Sequence, residues 1–200
     1  MSNRADASGE SRGRLVVISG PSGTGKTSIC RALLERLPGA VWSVSLTTRP
    51  IRSGEQSGKS YEYATREEFE RRKVAGELLE DAEYCGHLYG TPRGPVEAAI
   101  REGRFVVIEI DVQGGAQVAS KVPDSIRVFI LPPDKDELRA RLEGRKTEAR
   151  DQQDQRLREM EREIDFARRS GAYSHFVVND DLDTAIAEVE GIILQKRASG

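Results

Sequence analysis

Short apolar runs alternate with helical patterns along the chain and predict an α/β fold. The first apolar run covers residues 15–18, and others lie at 105–110, 128–131 and 176–178. Runs of this length, bounded by turn residues, are typical of strands that are buried on both faces. Because helical segments separate these strands, we expect a largely parallel sheet flanked by helices.

Apolar residues between these runs recur at helical spacing. Ile29, Leu33 and Leu37 lie four residues apart, which predicts a helix that starts near Lys26 and ends at the Pro-Gly pair 38–39. Other helices are predicted by a capping-box pattern at Thr65 and Glu68, by a start at Thr91-Pro92, and by the terminal spacing of Leu182, Ile186, Val189 and Ile193.

Two long segments interrupt this alternation. Residues 47–60 are polar, contain glycine and lack helical periodicity, whereas residues 134–169 are dominated by charge. Long irregular segments in compact domains often carry function. Residues 1–13 are rich in Ser, Gly and Arg, so we expect a disordered tail followed by one domain at 14–200.

Composition and charge exclude several classes of protein. The 200 residues include 31 basic and 33 acidic side chains, so no bulk cationic field attracts nucleic acid or acidic membranes. Two cysteines and two histidines exclude a disulfide scaffold and make a structural metal cluster improbable. The apolar runs are far shorter than the roughly 18 residues that span a bilayer. We therefore expect a cytoplasmic protein without nucleic-acid or membrane partners.

A phosphate-binding loop follows the first predicted strand. Residues 20–27, GPSGTGKT, fit the pattern G-x-x-x-x-G-K-[ST] between a strand and a helix. Its glycines let backbone N–H groups surround a polyphosphate, and the helix directs its positive end at the same anion. Lys26 is expected to reach the β- and γ-phosphates, and Thr27 to bind Mg²⁺. GTPases, ATPases and small-molecule kinases share this motif, so it leaves the substrate open.

Two further features suggest a second phosphate and a metal. Arg49 and Arg52 lie three residues apart among hydroxyl side chains, which predicts a clamp for another phosphate. Asp111 ends an apolar strand and is a candidate for Mg²⁺ through water. Its alternative role is that of an ordinary turn residue at the end of a strand.

A series of short motifs, in order over about residues 14–195, resembles the guanylate kinase family. The matching stretches are 20–27, 43–49, 52–55, 76–80, 89–91, 110–114, 130–133, 141–145 and 178–182. The resemblance implies transfer of the γ-phosphate of ATP to GMP, giving ADP and GDP, with Mg²⁺. It also implies a P-loop NTPase-type fold with a core at 14–44, 92–133 and 166–200, a small α+β GMP-binding insertion at 45–91, and a helical lid at 134–165.

The resemblance also implies roles for individual residues. Catalysis is expected from Lys26, Arg49, Arg145 and Arg156. ATP is expected at Gly20, Pro21, Ser22, Gly23, Thr24, Gly25, Lys26, Thr27 and Ser28, with Asn179 near the adenine. GMP is expected at Ser45, Arg49, Arg52, Tyr61, Glu80, Tyr89, Gly90, Thr91, Glu109, Asp111 and Gly114, and Mg²⁺ at Thr27 and Asp111.

The chemistry of guanine agrees with Glu80 as the residue that reads the base. A carboxylate accepts hydrogen bonds from the adjacent N1–H and N2–H₂ donors of guanine, whereas adenine has an acceptor at N1. Outside the family pattern, Glu80 would be an exposed charge at a helix end. In the lid, Glu159, Glu161 and Glu163 are expected to be solvated charges of a helix.

Several positions depart from the family pattern, and two alternative functions stay open. Glu109 stands where the family usually has aspartate, and the chain also differs at Pro50-Ile51, Leu88 and Lys146. One alternative is a non-catalytic binding module with a guanylate-kinase-like fold, although Lys26 and the paired arginines are intact. The other is a P-loop kinase with a different phosphorylated acceptor. The sequence allows a monomer or a homodimer.

Overall fold

The computed structural model describes residues 13–59, 61–133 and 150–198. The predicted tail at 1–12 and the first part of the predicted lid, 134–149, lie outside this range. Gly13, predicted as the last residue of the tail, is buried against the backbone of Arg104. No helix of the described residues is long and apolar enough to cross a membrane.

The described chain forms nine strands and six helices. The strands are β1 Leu15–Ser19, β2 Val41–Trp42, β3 Leu46–Thr47, β4 Glu62–Tyr63, β5 Leu78–Tyr84, β6 His87–Pro92, β7 Val106–Glu109, β8 Ile126–Leu131 and β9 His175–Val178. The helices are α1 Lys26–Arg36, α2 Arg66–Val74, α3 Arg93–Arg101, α4 Val112–Lys121, α5 Arg150–Ser170 and α6 Leu182–Ala198.

A five-stranded parallel sheet in the order β2-β7-β1-β8-β9 forms the centre of the fold. All five residues of β1 are buried, and they alternate between the two faces of the sheet. Val16 and Ile18 pack with α1 and α6, whereas Leu15 and Val17 pack with α3 and α4. This two-sided burial explains the continuous apolar run and confirms the predicted parallel sheet flanked by helices.

A second, four-stranded sheet in the order β4-β3-β6-β5 is inserted after β2. Together with α2 it encloses its own small core of Leu46, Phe69, Leu78 and Leu88. The sequence did not predict the β5–β6 hairpin, because β5 carries acidic residues on both faces and lacks a clear alternation. The helix predicted to start at Thr91-Pro92 begins one residue later, since β6 continues to Pro92 and α3 starts at Arg93.

Candidate active site

The phosphate loop connects β1 to α1 at the carboxyl end of the central sheet. Gly20, Gly23 and Gly25 have positive φ angles of 146°, 86° and 86°, which side chains rarely permit. Lys26 Nζ donates to the carbonyl of Pro21 at 2.8 Å, and the Thr24 hydroxyl donates to the same carbonyl at 2.9 Å. Burial lowers the pKa of Lys26, and the carboxylate of Glu109 opposes this shift.

Asn179 lies against this loop. Its side-chain amide donates to the backbone carbonyl of Thr24 at 2.8 Å, and the residue is buried. A Cβ atom on Gly25 would come within 2.3 Å of the same amide nitrogen, so glycine is required there. Asn179 therefore connects the end of β9 to the loop, a contact that its predicted place near adenine did not anticipate.

Glu109 lies beside the predicted metal ligand. The hydroxyl of Thr27 donates to the Glu109 carboxylate, with 2.9 Å to Oε2 and 3.1 Å to Oε1. Asp111 is used differently, because its Oδ1 accepts from the backbone N–H of Gly114 at 2.7 Å and caps α4. Glu109, rather than Asp111, is thus the carboxylate that contacts Thr27.

A cavity of ≈ 430 Å³ opens between the two sheets, next to the phosphate loop. Ser45, Ala82 and Ile110 contribute to its wall. The structure brings together in this wall nine of the eleven residues that the sequence assigned to GMP. They are Ser45, Arg49, Arg52, Tyr61, Glu80, Tyr89, Gly90, Glu109 and Asp111. The other two, Thr91 and Gly114, lie directly behind Glu80, as the contacts of its carboxylate show.

A fixed guanidinium lines the cavity. Arg49 is buried, and its two terminal nitrogens donate to both oxygens of Glu55 at 2.7 and 3.1 Å. Glu55 also accepts from Tyr63 Oη at 2.7 Å and from the backbone N–H of Arg52 at 2.8 Å. Hydrogen bonds from Arg49 and these two donors lower the pKa of Glu55 to about 2. Glu55 was not among the predicted site residues; the available signal was an acidic residue three positions after Arg52.

Tyrosine rings surround this arginine. The Arg49 guanidinium carbon lies 5.3 Å from the centre of the Tyr61 ring. Tyr61 packs edge-on against Tyr89, with 5.9 Å between ring centres. The rings restrict Arg49 to one orientation at the cavity wall and leave hydroxyl groups beside a positive charge, an arrangement suited to an anion.

The cavity wall also contains a buried carboxyl group. Glu80 is only 4% exposed, and its Oε1 accepts from the Thr91 hydroxyl at 2.6 Å. A Cβ atom on Gly114 would lie 2.8 Å from Glu80 Oε2, so glycine makes room for the carboxyl group. Burial raises the pKa of Glu80 to about 7, although the hydrogen bond from Thr91 opposes the shift. A ligand that donates hydrogen bonds to this group would favour its carboxylate form.

Helix α5 brings one more carboxyl group towards the phosphate loop. Glu163, predicted to be solvated, is half-buried, and burial raises its pKa to about 7 against the opposing charge of Lys26. The prediction was wrong because α5 brings Glu163 close enough to Lys26 and Asp111 for their charges to act on it, and the carboxyl group is partly removed from solvent. Glu159 and Glu161 are exposed, as expected.

Two predicted catalytic arginines are not part of this geometry. Arg145 lies outside the described residues, as does Lys146. Arg156 lies on α5, but its side chain is outside the described part of the structure. Their proposed roles therefore stay predictions from the sequence.

Comparisons with known proteins agree on one family. The sequence model of the guanylate kinase family matches residues 12–196. The guanylate kinase of Symbiobacterium thermophilum is 45% identical over 94% of this chain and 87% of its own length. That of Chelativorans sp. is 47% identical, over 93% of this chain and 84% of its own. The crystal structure of guanylate kinase from Anaplasma phagocytophilum superposes with a TM-score of 0.72 at 31% identity, covering 94% and 87% of the two chains.

Proposed function

The chain belongs to the guanylate kinase family, which makes it an ATP:GMP phosphotransferase, and we propose how its residues divide the work. The observation that carries the proposal is that one cavity is lined both by a buried carboxyl group, that of Glu80, and by a fixed guanidinium, that of Arg49. The phosphate loop is next to this cavity, because its Thr27 donates to Glu109, which lines the cavity. GMP has the matching layout, since it offers base donors at one end and a phosphate at the other.

Glu80 reads the guanine base in this proposal. Its carboxylate accepts from N1–H and N2–H₂, while Ser45 on the cavity wall holds a neighbouring polar group. Thr91 lies behind Glu80 and orients its carboxylate through the hydroxyl. Adenine would present a lone pair at N1 to the same carboxylate and leave it without a donor. A site built around a buried hydrogen bond rejects the wrong analogue by roughly 10⁴-fold, because its polar groups stay unpaired.

Arg49, Arg52, Tyr61 and Tyr89 hold the phosphate of GMP. The contact with Glu55 occupies one edge of the Arg49 guanidinium and fixes its direction before the substrate arrives. A clamp that is already oriented loses little side-chain freedom when the phosphate binds. Glu55 is therefore an additional residue of the proposed GMP site.

ATP binds with its phosphates in the loop 20–27, close to Lys26 and the N-terminus of α1. Thr27 and Glu109 supply hard oxygen donors at this point, and such donors fit Mg²⁺. Thr27 would hold the ion, Glu109 accepts from the Thr27 hydroxyl beside it, and Asp111 would be left to GMP. The ion, when bound, neutralises charge on the ATP phosphates.

The transfer step needs alignment more than acid–base chemistry. An oxygen of the GMP phosphate forms a bond to the γ-phosphorus as the bond to the β–γ bridging oxygen breaks, and ADP leaves. The attacking oxygen is anionic at neutral pH, so no protein base is required. Lys26 and Arg49 neutralise the two phosphates that must approach each other, and Arg145 and Arg156 are expected to assist.

Substitution of the guanine reader tests the proposal. We expect Glu80→Gln to lower kcat/KM for GMP by about 10³-fold, because an amide cannot accept both guanine donors. The matched control is Glu83→Gln, an exposed glutamate near the far end of the same strand, which should leave the kinetics unchanged. Equal kinetics for wild type and Glu80→Gln would refute the assignment. A cytoplasmic location and a monomeric or homodimeric state stay predictions from the sequence.

A further inference from the structure

Strand β5, which carries Glu80, is an edge strand that touches the core through helix α4. It pairs with β6 on one side only. In an antiparallel ladder, the N–H and C=O of one residue point to the same side, and those of the next residue to the other side. The backbone groups of Asp81 point to the open side, where α4 lies.

Gln117 of α4 forms hydrogen bonds with both the N–H and the C=O of Asp81. Its Oε1 accepts from the Asp81 N–H at 3.2 Å, and its Nε2 donates to the Asp81 carbonyl at 2.8 Å. The side-chain amide thus continues the sheet by one residue. Both bonds require an amide, since a methyl or hydroxyl group cannot pair with an N–H and a C=O at this separation.

The same face of α4 also approaches the Glu80 side chain. Gly114 lies three residues before Gln117, so both residues face β5. Gly114 leaves room for the Glu80 carboxyl group, and Gln117 holds the backbone of the following residue. Helix α4 is in turn anchored to the central sheet by Val118, which is buried with Leu15 and Val17.

We propose that Gln117 is a positioning residue for guanine recognition. It joins the strand that carries Glu80 to the core helix that begins at Asp111, and so keeps the buried carboxyl group in line with the base. The inference rests on the proposed role of Glu80. It assigns to Gln117 no contact with substrate.

The test compares Gln117→Met with wild type. Methionine is similar in size and helix propensity but cannot make the two hydrogen bonds. We expect the KM for GMP to rise about tenfold, with kcat within about twofold and the KM for ATP unchanged. IMP lacks the 2-amino group, so the substitution should raise the KM for IMP less than the KM for GMP. The matched control is Gln195→Met on α6, across the central sheet, which should change none of these values.

A double-mutant cycle separates this inference from the proposed function. In a Glu80→Gln background, Gln117→Met should add little, because the residue acts through Glu80. An undiminished effect in that background would overturn the inference, as would equal losses for GMP and ATP or an unchanged KM for GMP. If Glu80→Gln alone has no effect, the proposed reader of guanine fails instead.

Discussion

The Glu80 carboxyl group is subject to two opposing demands. Burial favours its neutral form and raises its pKa to about 7, whereas the proposed contact with guanine needs the carboxylate. Binding of GMP should therefore favour ionisation, and protons should be released on binding near or below neutral pH. If Glu80 reads guanine, substrate affinity should depend on pH in the physiological range.

We predict that the KM for GMP rises as the pH falls from 8 to 6.5, and approaches tenfold per unit below the Glu80 pKa of about 7. Steady-state kinetics at saturating ATP measure this. Glu163→Gln should leave the pH dependence of this KM unchanged, because Glu163 lies near Lys26 rather than beside Glu80. Glu80→Gln should abolish it. A flat wild-type profile would contradict the proposed ionisation.

The same carboxyl group should make the free protein more stable at low pH, whereas the binding of GMP should be weaker at low pH. Its folded pKa of about 7 exceeds its ordinary value of 4.5, so the neutral form favours the folded state. This contribution is complete below pH 4.5 and is lost as the pH rises through 7. Bound GMP should offset the loss by pairing the carboxylate.

The sequence predicted the position of the phosphate loop between a strand and a helix, and the structure has β1 and α1 there. Glycines, Lys26 and Thr27 form a motif whose spacing encodes its own geometry. Glu163 could not be anticipated, because its burial depends on how α5 packs. The Thr27–Glu109 contact was also missed, since it joins residues 82 positions apart.

Helix α4 makes close contacts on two of its faces. One face approaches the Glu80 carboxyl group at Gly114, and another packs on Tyr173 at Gly115. The Tyr173 hydroxyl donates to the carbonyl of Val112 at 3.2 Å, which joins the segment between α5 and β9 to the first turn of α4. The sequence did not predict this helix, because two glycines near its start weaken the helical signal.

Paired glycine substitutions test the packing of this helix. A Cβ on Gly115 would lie 1.9 Å from the Tyr173 hydroxyl oxygen, so Gly115→Ala should destabilise the protein by about 1–3 kcal/mol. A Cβ atom on Gly191 of α6 would meet no atom of the described residues within 4 Å beyond its own helix and chain neighbours, so Gly191→Ala should stabilise by about 0.5–1 kcal/mol. Urea unfolding measures both. Equal midpoints for Gly115→Ala and wild type would contradict the packing.

At the scale of the whole molecule, function depends on two sheets that face each other. The parallel sheet presents the phosphate loop, and the smaller sheet presents the tyrosines, Arg49 and Glu80 around the shared cavity. The apolar runs predicted four of the five strands of the first sheet, because β1, β7, β8 and β9 contain apolar residues that are buried in the core. The second sheet has a core of only a few side chains, so its strands carry little hydrophobic signal.

This arrangement argues against a purely binding role. A non-catalytic binding module needs neither the Lys26 side chain at the phosphate loop nor the buried Glu80 carboxyl group in the cavity wall. A kinase for another acceptor would not need the Thr91–Glu80 pair. The family assignment and the cavity therefore lead to the same reaction.

The most direct test of guanine-specific phosphotransfer is a coupled assay of ADP release with ATP and Mg²⁺, in which GMP, AMP, CMP and UMP are offered in parallel. We predict turnover with GMP and less than about 10⁻³ of that rate with the other three, because only guanine satisfies the buried carboxylate. Comparable turnover with AMP, or none with any of the four nucleotides, would contradict it.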